Sequence, residues 1–157
     1  MREVDELDAY DRKILAALQD DGRLSNQELA ERVALSPSQC SRRRQRLERT
    51  GIIRGYHARV DPVRTGHALT SFVQVTLAAH DPATAARLAE LFDSLAEVQG
   101  AHALTGEADY TLRIVTPDLA ALSTLISTRL LPHPAVQNVR TAIVLDTLKE
   151  TFALPLD

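Results

Sequence analysis

The chain has 157 residues, of which 45% are hydrophobic and 25% charged, and its formal net charge is −3. These values are ordinary for one average or two small globular domains. They exclude a membrane-spanning helix, because no apolar run reaches the roughly 20 residues that a bilayer requires. The charged start, Met1–Glu6, has no hydrophobic leader. The single cysteine, Cys40, excludes an internal disulfide, so we expect a cytoplasmic protein.

Charge is distributed unevenly along the chain. Residues 1–64 hold 13 Lys and Arg against 11 Asp and Glu, whereas residues 65–157 hold 5 against 10. Residues 42–64 contain eight arginines and only two acids. Such a focus of positive charge indicates a polyanionic partner. A solvated helix face is the alternative that composition alone leaves open.

The first fifty residues contain three helix signatures. Asp8 is a plausible N-cap for the first, whose apolar stripe comprises Leu7, Tyr10, Ile14, Leu15 and Leu18. Ser25 with Glu28, and Ser36 with Gln39, are capping boxes that start two further helices. The third helix is predicted over 37–50, with Gly51 as its C′ residue.

Two capped helices in close succession have the spacing of a helix-turn-helix. The second helix of this pair also carries the arginine cluster, and in this motif it enters the major groove. These independent observations predict binding to double-stranded DNA. Residues 52–60, with a turn or bulge at Gly55, are expected to form a short hairpin, or wing. The winged helix-turn-helix domain is predicted over 1–60.

Breaks at Asp61-Pro62 and Thr65-Gly66 predict a linker over 61–69. A second domain is predicted over 70–157, with the order βαββαβ of a ferredoxin-like fold. The fold class is therefore α+β. Its predicted elements are a strand at 73–77, a helix after Asp81-Pro82, strands at 98–104 and 109–115, a helix capped at Thr116-Pro117 with Leu119, Leu122, Ile126 and Leu130 on one side, and a strand at 136–145. A sheet with helices on one face leaves the other face bare, and Val and Ile there would favour a homodimer.

The whole chain, over about residues 7–150, resembles the Lrp/AsnC (feast/famine) family of transcriptional regulators. In the first half the matching residues are Leu7-Asp8, Asp11, Ile14-Leu15, Asp21-Gly22-Arg23, Leu35-Ser36-Pro37, Cys40, Arg43, Arg46-Leu47-Glu48, Gly51-Ile52-Ile53 and Gly55-Tyr56. In the second half they are Thr105-Gly106-Glu107-Ala108-Asp109-Tyr110, Pro117-Asp118 and Leu131-Pro132.

The resemblance implies a C-terminal ligand-sensing (RAM) domain, an amino-acid effector, and dimers that assemble further, often to octamers. It places the effector near residues 106–109. Two residues depart from the family pattern. Arg44 stands where an aliphatic residue is usual and is expected to lie along the core edge or to pair with an acid. Ala108 stands where an aromatic residue is common in the effector loop.

The candidate DNA-binding residues fall into two groups. Those in the first turns of the third helix are assigned to base edges or adjacent phosphates, because Arg reads guanine and Gln reads adenine: Ser38, Gln39, Ser41, Arg42 and Arg43. Those assigned to phosphates alone are Arg46, Arg49, Arg54 and Arg59. A free surface arginine is the alternative for any one of them.

The candidate effector residues follow mainly from the resemblance. Backbone N–H groups near Gly106 would receive the carboxylate of a zwitterion, with Glu107 beside them, and Asp109 would take its ammonium. Thr105, Ala142 and Ile143 are weaker candidates for the pocket lining. The alternative is a β-turn that needs glycine and a solvated acid.

Other chemistry is not indicated. The five histidines lack metal-ligand spacing, so neither a metal nor a cofactor is expected. Cys40 fits a helical core position better than a redox switch. No catalytic motif is present, so we expect no enzyme. Two further functions remain open: an architectural nucleoid-type protein with a weak effector response or none, and a ligand-binding or assembly module whose helix-turn-helix has lost DNA binding.

Overall fold

The computed structural model describes residues 7–156 and divides the chain into two compact units. The first unit holds the chain up to Arg59 and again from Lys149 onward, and the second unit is Val60–Leu148. The predicted boundaries differ, because they assigned the C-terminal residues to the second domain. The charged start, Met1–Glu6, lies outside the described residues.

Three helices form the first unit: α1 (Ala9–Asp20), α2 (Asn26–Val33) and α3 (Pro37–Arg49). The two predicted capping boxes, at Ser25 and Ser36, are confirmed. Asp8 also caps α1 as expected, in a third reciprocal box with Asp11. Each box satisfies backbone N–H groups that a helix start leaves unpaired. The helix starts are therefore determined locally.

One apolar core joins the three helices. Ile14, Leu29, Cys40 and Leu47 are completely buried in it, so Cys40 has the expected core position. Tyr10, which was predicted on the apolar stripe of α1, is exposed instead. The buried residue of this turn is Asp11, which is only 1% exposed.

The connection between α2 and α3 is tight, as a helix-turn-helix requires. Ala34 ends α2 in the left-handed region, at φ 57° and ψ 47°. This conformation brings the chain from Val33 to the N-cap Ser36 within two intervening residues. For a residue with a Cβ, the left-handed conformation is less favourable than the right-handed one by roughly 1–2 kcal/mol.

The end of α3 and the segment after it are only partly as predicted. Gly51 has a positive φ of 76°, and Ile53 N–H donates to the Leu47 carbonyl and closes the helix. The predicted hairpin over 52–60 is wrong, because no strand is present in this segment. A strand requires a hydrogen-bonded partner, and the structure offers none here.

The C-terminal segment belongs to the first unit through specific contacts with α1. The Gln19 side chain accepts a hydrogen bond from Leu154 N–H at 2.7 Å and donates one to the Leu154 carbonyl at 3.0 Å. Leu156 packs against the core of the helices. An open groove of about 480 Å³ lies between α1 and this segment.

The second unit contains a four-stranded antiparallel sheet and two helices. Its strands are β1 (Leu69–Leu77), β2 (Val98–Ala103), β3 (Tyr110–Thr116) and β4 (Val136–Ile143), in the order β2-β3-β1-β4. Helix α4 (Pro82–Asp93) follows β1, and α5 (Leu119–Leu125) follows β3. The predicted βαββαβ order is confirmed.

The two faces of the sheet differ in chemistry. Val73, Val75 and Leu77 are buried toward the helices. The outer face carries Phe72, which is 46% exposed, and its strand neighbour Gln74, which is polar. The expectation that Val and Ile cover the outer face is therefore wrong. Strand alternation places Val73, Val75 and Ile114 on the core side.

The second helix of this unit starts later than expected. Asp118, and not Thr116-Pro117, is its N-cap, and Leu119 is 59% exposed. A π-helical turn, Ile126–Leu130, continues α5, and Leu131 N–H donates to the Ile126 carbonyl. This wider turn leaves both Leu125 and Leu130 in the core. No helix among the described residues has the length and apolarity needed to cross a membrane.

Ala34→Gly is expected to raise the free energy of unfolding by about 0.5–1 kcal/mol, because glycine removes the Cβ strain at this left-handed position but adds chain entropy when unfolded. Denaturant unfolding measures this change. Ala17→Gly, inside α1, is the control and should lower stability by about 1 kcal/mol. A less stable Ala34→Gly variant would contradict the strain at the turn.

Candidate DNA-binding surface and effector site

Helix α3 exposes one polar stripe. Ser38, Arg42, Gln45 and Arg49 recur at intervals of four, three and four residues, and all four are exposed. This spacing aligns them along one side of an α-helix. Ser41 is half-buried at the edge of the stripe. The arrangement gives α3 a face with two positive charges and several hydrogen-bonding groups.

Beside this stripe, the flank of α3 that faces α1 carries two arginines in ion pairs. Arg43 Nη1 donates to Asp8 Oδ2 at 2.7 Å and to Asp11 Oδ1 at 2.9 Å. Arg46 Nη2 donates to the other oxygen of Asp11. The hydrogen bond from Asp11 N–H, followed by that from Arg43, lowers the pKa of Asp8. Hydrogen bonds to Asp8 and then Asp11 raise the pKa of Arg43.

These ion pairs change the interpretation of two predicted DNA contacts. Arg43 was assigned to base edges and Arg46 to phosphates, but the structure engages both guanidinium groups with carboxylates of the same unit. Successive helical residues differ by about 100°, so Arg42 and Arg43 point in different directions. Arg42 is the one that reaches the exposed stripe.

Arg44 pairs with an acid, as expected. Its Nε donates to Glu48 at 3.1 Å and to the Tyr56 hydroxyl at 2.9 Å, and its Nη1 donates to the Leu24 carbonyl. Burial, followed by the hydrogen bond with Glu48, raises the pKa of Tyr56. Arg44 thus holds together α3, the turn before α2 and the segment that follows α3.

The remaining predicted DNA-binding residues have different surroundings. Gln39 is exposed, but its Oε1 accepts from Ser36 N–H in the capping box, so a bidentate contact to adenine would require breaking the cap. Arg54 is exposed. Arg59 pairs with Glu150 at 3.2 Å and lies over the Phe152 ring.

Sequence reasoning assigned no role to two residues that shape this surface, Gln45 and Asp11. Gln45 could have been found from the helical period that already contained Arg42 and Arg49. Asp11 had a weaker signal, since an acid beside an apolar stripe is usually solvated. Its position against α3 depends on the packing of two helices.

In the second unit, the loop between β2 and β3 carries most of the predicted effector residues. Leu104 N–H donates to the Asp109 carbonyl at 2.9 Å, and Asp109 N–H donates to the Val75 carbonyl at 3.2 Å. Gly106 has a φ of 141°, which residues with a Cβ rarely adopt. Thr105, Gly106 and Glu107 are exposed at the tip of the loop.

The Asp109 carboxylate anchors the base of this loop. Its Oδ2 accepts a hydrogen bond from Leu77 N–H at 2.7 Å, and its Oδ1 lies 2.8 Å from His80 Nε2. The Leu77 hydrogen bond, more than His80, lowers the pKa of Asp109. Both carboxylate oxygens are therefore engaged, whereas the sequence assigned this group to an effector ammonium.

A small polar depression lies beside the loop on the outer sheet face. It has a volume of about 60 Å³ and is lined by Gln74, Thr76, Glu107, Ala108, Asn138 and Arg140. Arg140 Nη1 lies 3.4 Å from Glu107 Oε2, so opposite charges meet at its rim. The pairs Gln74–Arg140 and Thr76–Asn138 are cross-strand neighbours in β1 and β4.

The structure brings together only part of the predicted effector set. Glu107 lines the depression, while Thr105, Gly106 and Asp109 do not. Ala142 pairs with Phe72 and Ile143 with Ser71, so these two candidates lie on opposite faces of β4. The strand residues that sequence reasoning missed are polar and alternate with the core positions, and that alternation is the signal for an exposed face.

Two family models match the chain, one for each unit. Residues 7–54 match the winged helix-turn-helix DNA-binding model, and residues 70–154 match the Lrp/AsnC ligand binding domain. The leucine-responsive regulatory protein of Escherichia coli (strain K12) is 40% identical over 149 residues, which are 95% of this chain and 91% of that protein.

Solved structures agree over nearly the whole chain. A transcriptional regulator from Neisseria meningitidis, in complex with L-Met, has a TM-score of 0.93 and 41% identity, covering 97% of this chain and 98% of that one. An AsnC family transcriptional regulator from Agrobacterium tumefaciens has a TM-score of 0.90 and 36% identity, covering 96% and 97%.

The protein is therefore a transcriptional regulator with a DNA-binding helix-turn-helix domain and a ligand-binding domain. It belongs to the Lrp/AsnC family. Within residues 7–156, no three or more His, Cys, Asp or Glu side chains are grouped in a way that could hold a metal ion.

Asp109→Asn is expected to lower the free energy of unfolding by about 1 kcal/mol at pH 7, because a neutral oxygen accepts the Leu77 hydrogen bond less strongly. The folded-state pKa of Asp109 is lowered, so its contribution is fully present above the unfolded value of about 3.9. It disappears as the pH falls through the lower folded value.

Denaturant unfolding of wild type and variant, from pH 7 to pH 3, measures this difference. The gap between the two proteins should close at the acid end. Asp93→Asn, on the exposed surface of α4, is the matched control. A gap that is absent at pH 7, or that is no smaller at pH 3 than at pH 7, would contradict the anchoring role.

Proposed function

We propose that the exposed stripe of α3 enters the major groove of an operator and that an amino acid regulates this binding. The observation that carries the first half is the alignment of Ser38, Arg42, Gln45 and Arg49 on the solvent side of a helix capped at its start. A recognition helix presents its side chains to base edges in this way.

Each residue of the stripe has a role that its chemistry supports. Arg42 reads guanine and Gln45 reads adenine, since each side chain offers the matching pair of hydrogen-bonding groups. Ser38 and Ser41 contact an adjacent DNA phosphate or base. Arg49 and Arg54, at the end of α3 and beyond it, bind phosphates. Arg59 stays a weaker candidate, because Glu150 already neutralises it.

We also propose that the protein is cytoplasmic and that it is not an enzyme. The support is that the proteins from Neisseria meningitidis and Agrobacterium tumefaciens named above are transcriptional regulators.

Arg42→Ala is expected to weaken binding to a cognate duplex by about 1–3 kcal/mol and to relax sequence preference. The duplex is one selected by the wild-type protein from a random-sequence pool, and fluorescence anisotropy measures affinity. Arg49→Ala should instead weaken binding to all sequences and reduce the salt slope by about 1. An equal loss on every sequence for Arg42→Ala would make it a phosphate contact.

The proposed effector site is the polar depression of the second unit. The Arg140 guanidinium would receive the carboxylate of an amino acid and the Glu107 carboxylate its ammonium. These groups lie 3.4 Å apart and exposed, so a zwitterion can replace their mutual ion pair. Backbone N–H groups at Gly106 add further donors. A relative bound to L-Met and another named leucine-responsive support this ligand class.

One copy of the chain does not enclose such a ligand. The depression of about 60 Å³ is far below the roughly 300–1,000 Å³ of typical ligand pockets. We therefore propose a homodimer that assembles further, to an octamer, so that a second copy completes the site. The exposed Phe72 on the outer sheet face supports self-association through that face.

Light scattering and thermal shift, with each of the twenty amino acids in turn, test the effector proposal. One amino acid should change the assembly size or raise the melting temperature. Arg140→Gln should raise the ligand concentration that gives half of this response at least about tenfold, since it removes a charge-assisted contact. Arg129→Gln, in the exposed part of the π-helical turn, is the control.

A response that Arg140→Gln leaves unchanged would place the effector elsewhere. No response to any amino acid would favour the architectural alternative, in which the protein binds DNA broadly. That function predicts little preference for the selected duplex over random DNA, whereas a regulator should show roughly 10³-fold or more.

A further inference from the structure

The ion pairs between α1 and α3 form a cluster that DNA binding by the exposed stripe does not use. Its members are two carboxylates from the start of α1, Asp8 and Asp11, and two guanidinium groups from α3, Arg43 and Arg46. Asp11 is 1% exposed, while Arg46 keeps 40% of its side chain exposed. The cluster therefore joins a buried carboxylate to a guanidinium group that solvent still reaches.

The cluster divides the arginines of α3 into two classes. Helix α3 carries five arginines and one acid, Glu48. Arg43 and Arg46 are neutralised by carboxylates of α1, and Arg44 by Glu48. Arg42 and Arg49 stand on the exposed stripe. The charge available to DNA is thus much smaller than the sequence of α3 suggests.

We propose that Asp11 is a positioning residue that sets the DNA specificity of this protein by withholding Arg43 and Arg46 from phosphates. The inference rests on the proposed entry of α3 into the major groove. A carboxylate with both oxygens bound to guanidinium groups one helical turn apart fixes the rotation of α3 about its own axis. The same bonds remove two positive charges from the surface that meets the DNA backbone.

Specificity follows because phosphate contacts carry no sequence information. In a cognate complex, base contacts already determine where α3 lies, so additional free arginines add little to the affinity. In a non-specific complex no base contact restrains the helix, and free arginines find phosphates readily. Releasing Arg43 and Arg46 should therefore favour non-specific binding over cognate binding.

Asp11→Asn is the first test, because it keeps the size of the side chain and removes the charge. Binding to a random-sequence duplex is measured from 50 to 300 mM salt. The slope of log affinity against log salt should become steeper by up to about 1.8, from two added phosphate contacts. The ratio of affinities for the selected and the random duplex should fall roughly tenfold.

Asp20→Asn is the matched control. Asp20 also lies on α1 and pairs with an arginine, Arg32, but that arginine belongs to α2. The variant has the same change in net charge and should leave slope and ratio as in the wild type. Circular dichroism and thermal unfolding confirm that each variant is folded. A role confined to folding would change the melting temperature and neither DNA readout.

A second pair of variants tests the same inference without removing Asp11. Arg46→Gln should leave the salt slope unchanged, because Arg46 contacts no phosphate. Arg49→Gln, one turn further along α3, should lower the slope by about 0.9. This pair decides the question even if Asp11→Asn does not fold.

An unchanged slope and ratio in folded Asp11→Asn, or a lowered slope in Arg46→Gln, would overturn the inference. A wild-type protein that binds no duplex would instead overturn the proposed function itself, so the two failures are distinguishable.

Discussion

The buried carboxylate of Asp11 is the constraint on which the first unit depends. Removing a charge from water costs several kcal/mol unless it is paired, and the two guanidinium groups of Arg43 and Arg46 supply that pairing. Because both belong to α3, one side of that helix must face α1. The completely buried Leu47 lies on the same side. Helical periodicity then turns Ser38, Arg42, Gln45 and Arg49 toward solvent, where they form the exposed stripe. The fold of the unit and its candidate DNA surface follow from the same contact.

In the second unit, the two-residue period of a β-strand separates buried from exposed residues, as the helical period does in the first. Along β1, Val73, Val75 and Leu77 turn to the helices, so Gln74 and Thr76 must turn away. The antiparallel register places Arg140 opposite Gln74 and Asn138 opposite Thr76. Two strands that are far apart in sequence thereby build one polar surface, and the loop after β2 adds Glu107 to it. The site is a consequence of burying the alternate positions.

Side chains of the same charge have different functions in this molecule because of where their partners lie. Asp109 and Glu107 are two residues apart, yet Asp109 receives the Leu77 backbone N–H and anchors the loop, while Glu107 is exposed at the depression. Arg42 and Arg43 are adjacent, yet one is exposed and the other is held by two carboxylates. In each pair the structural function belongs to the residue that faces another element. The residue that faces solvent is left for a ligand.

The sequence alone determined the helix starts of the first unit, because a capping box joins residues only three positions apart and needs nothing else to form. It also determined the βαββαβ order, since hydrophobic period is a local property. Tertiary structure alone decided which arginines are paired, because Asp11 and Arg43 are 32 positions apart. It likewise placed Leu154 on Gln19, 135 positions away, and left residues 52–60 without a strand. The physical reason is that a local pattern specifies a conformation, whereas a buried charge or a strand acquires its partner only when separate elements pack together.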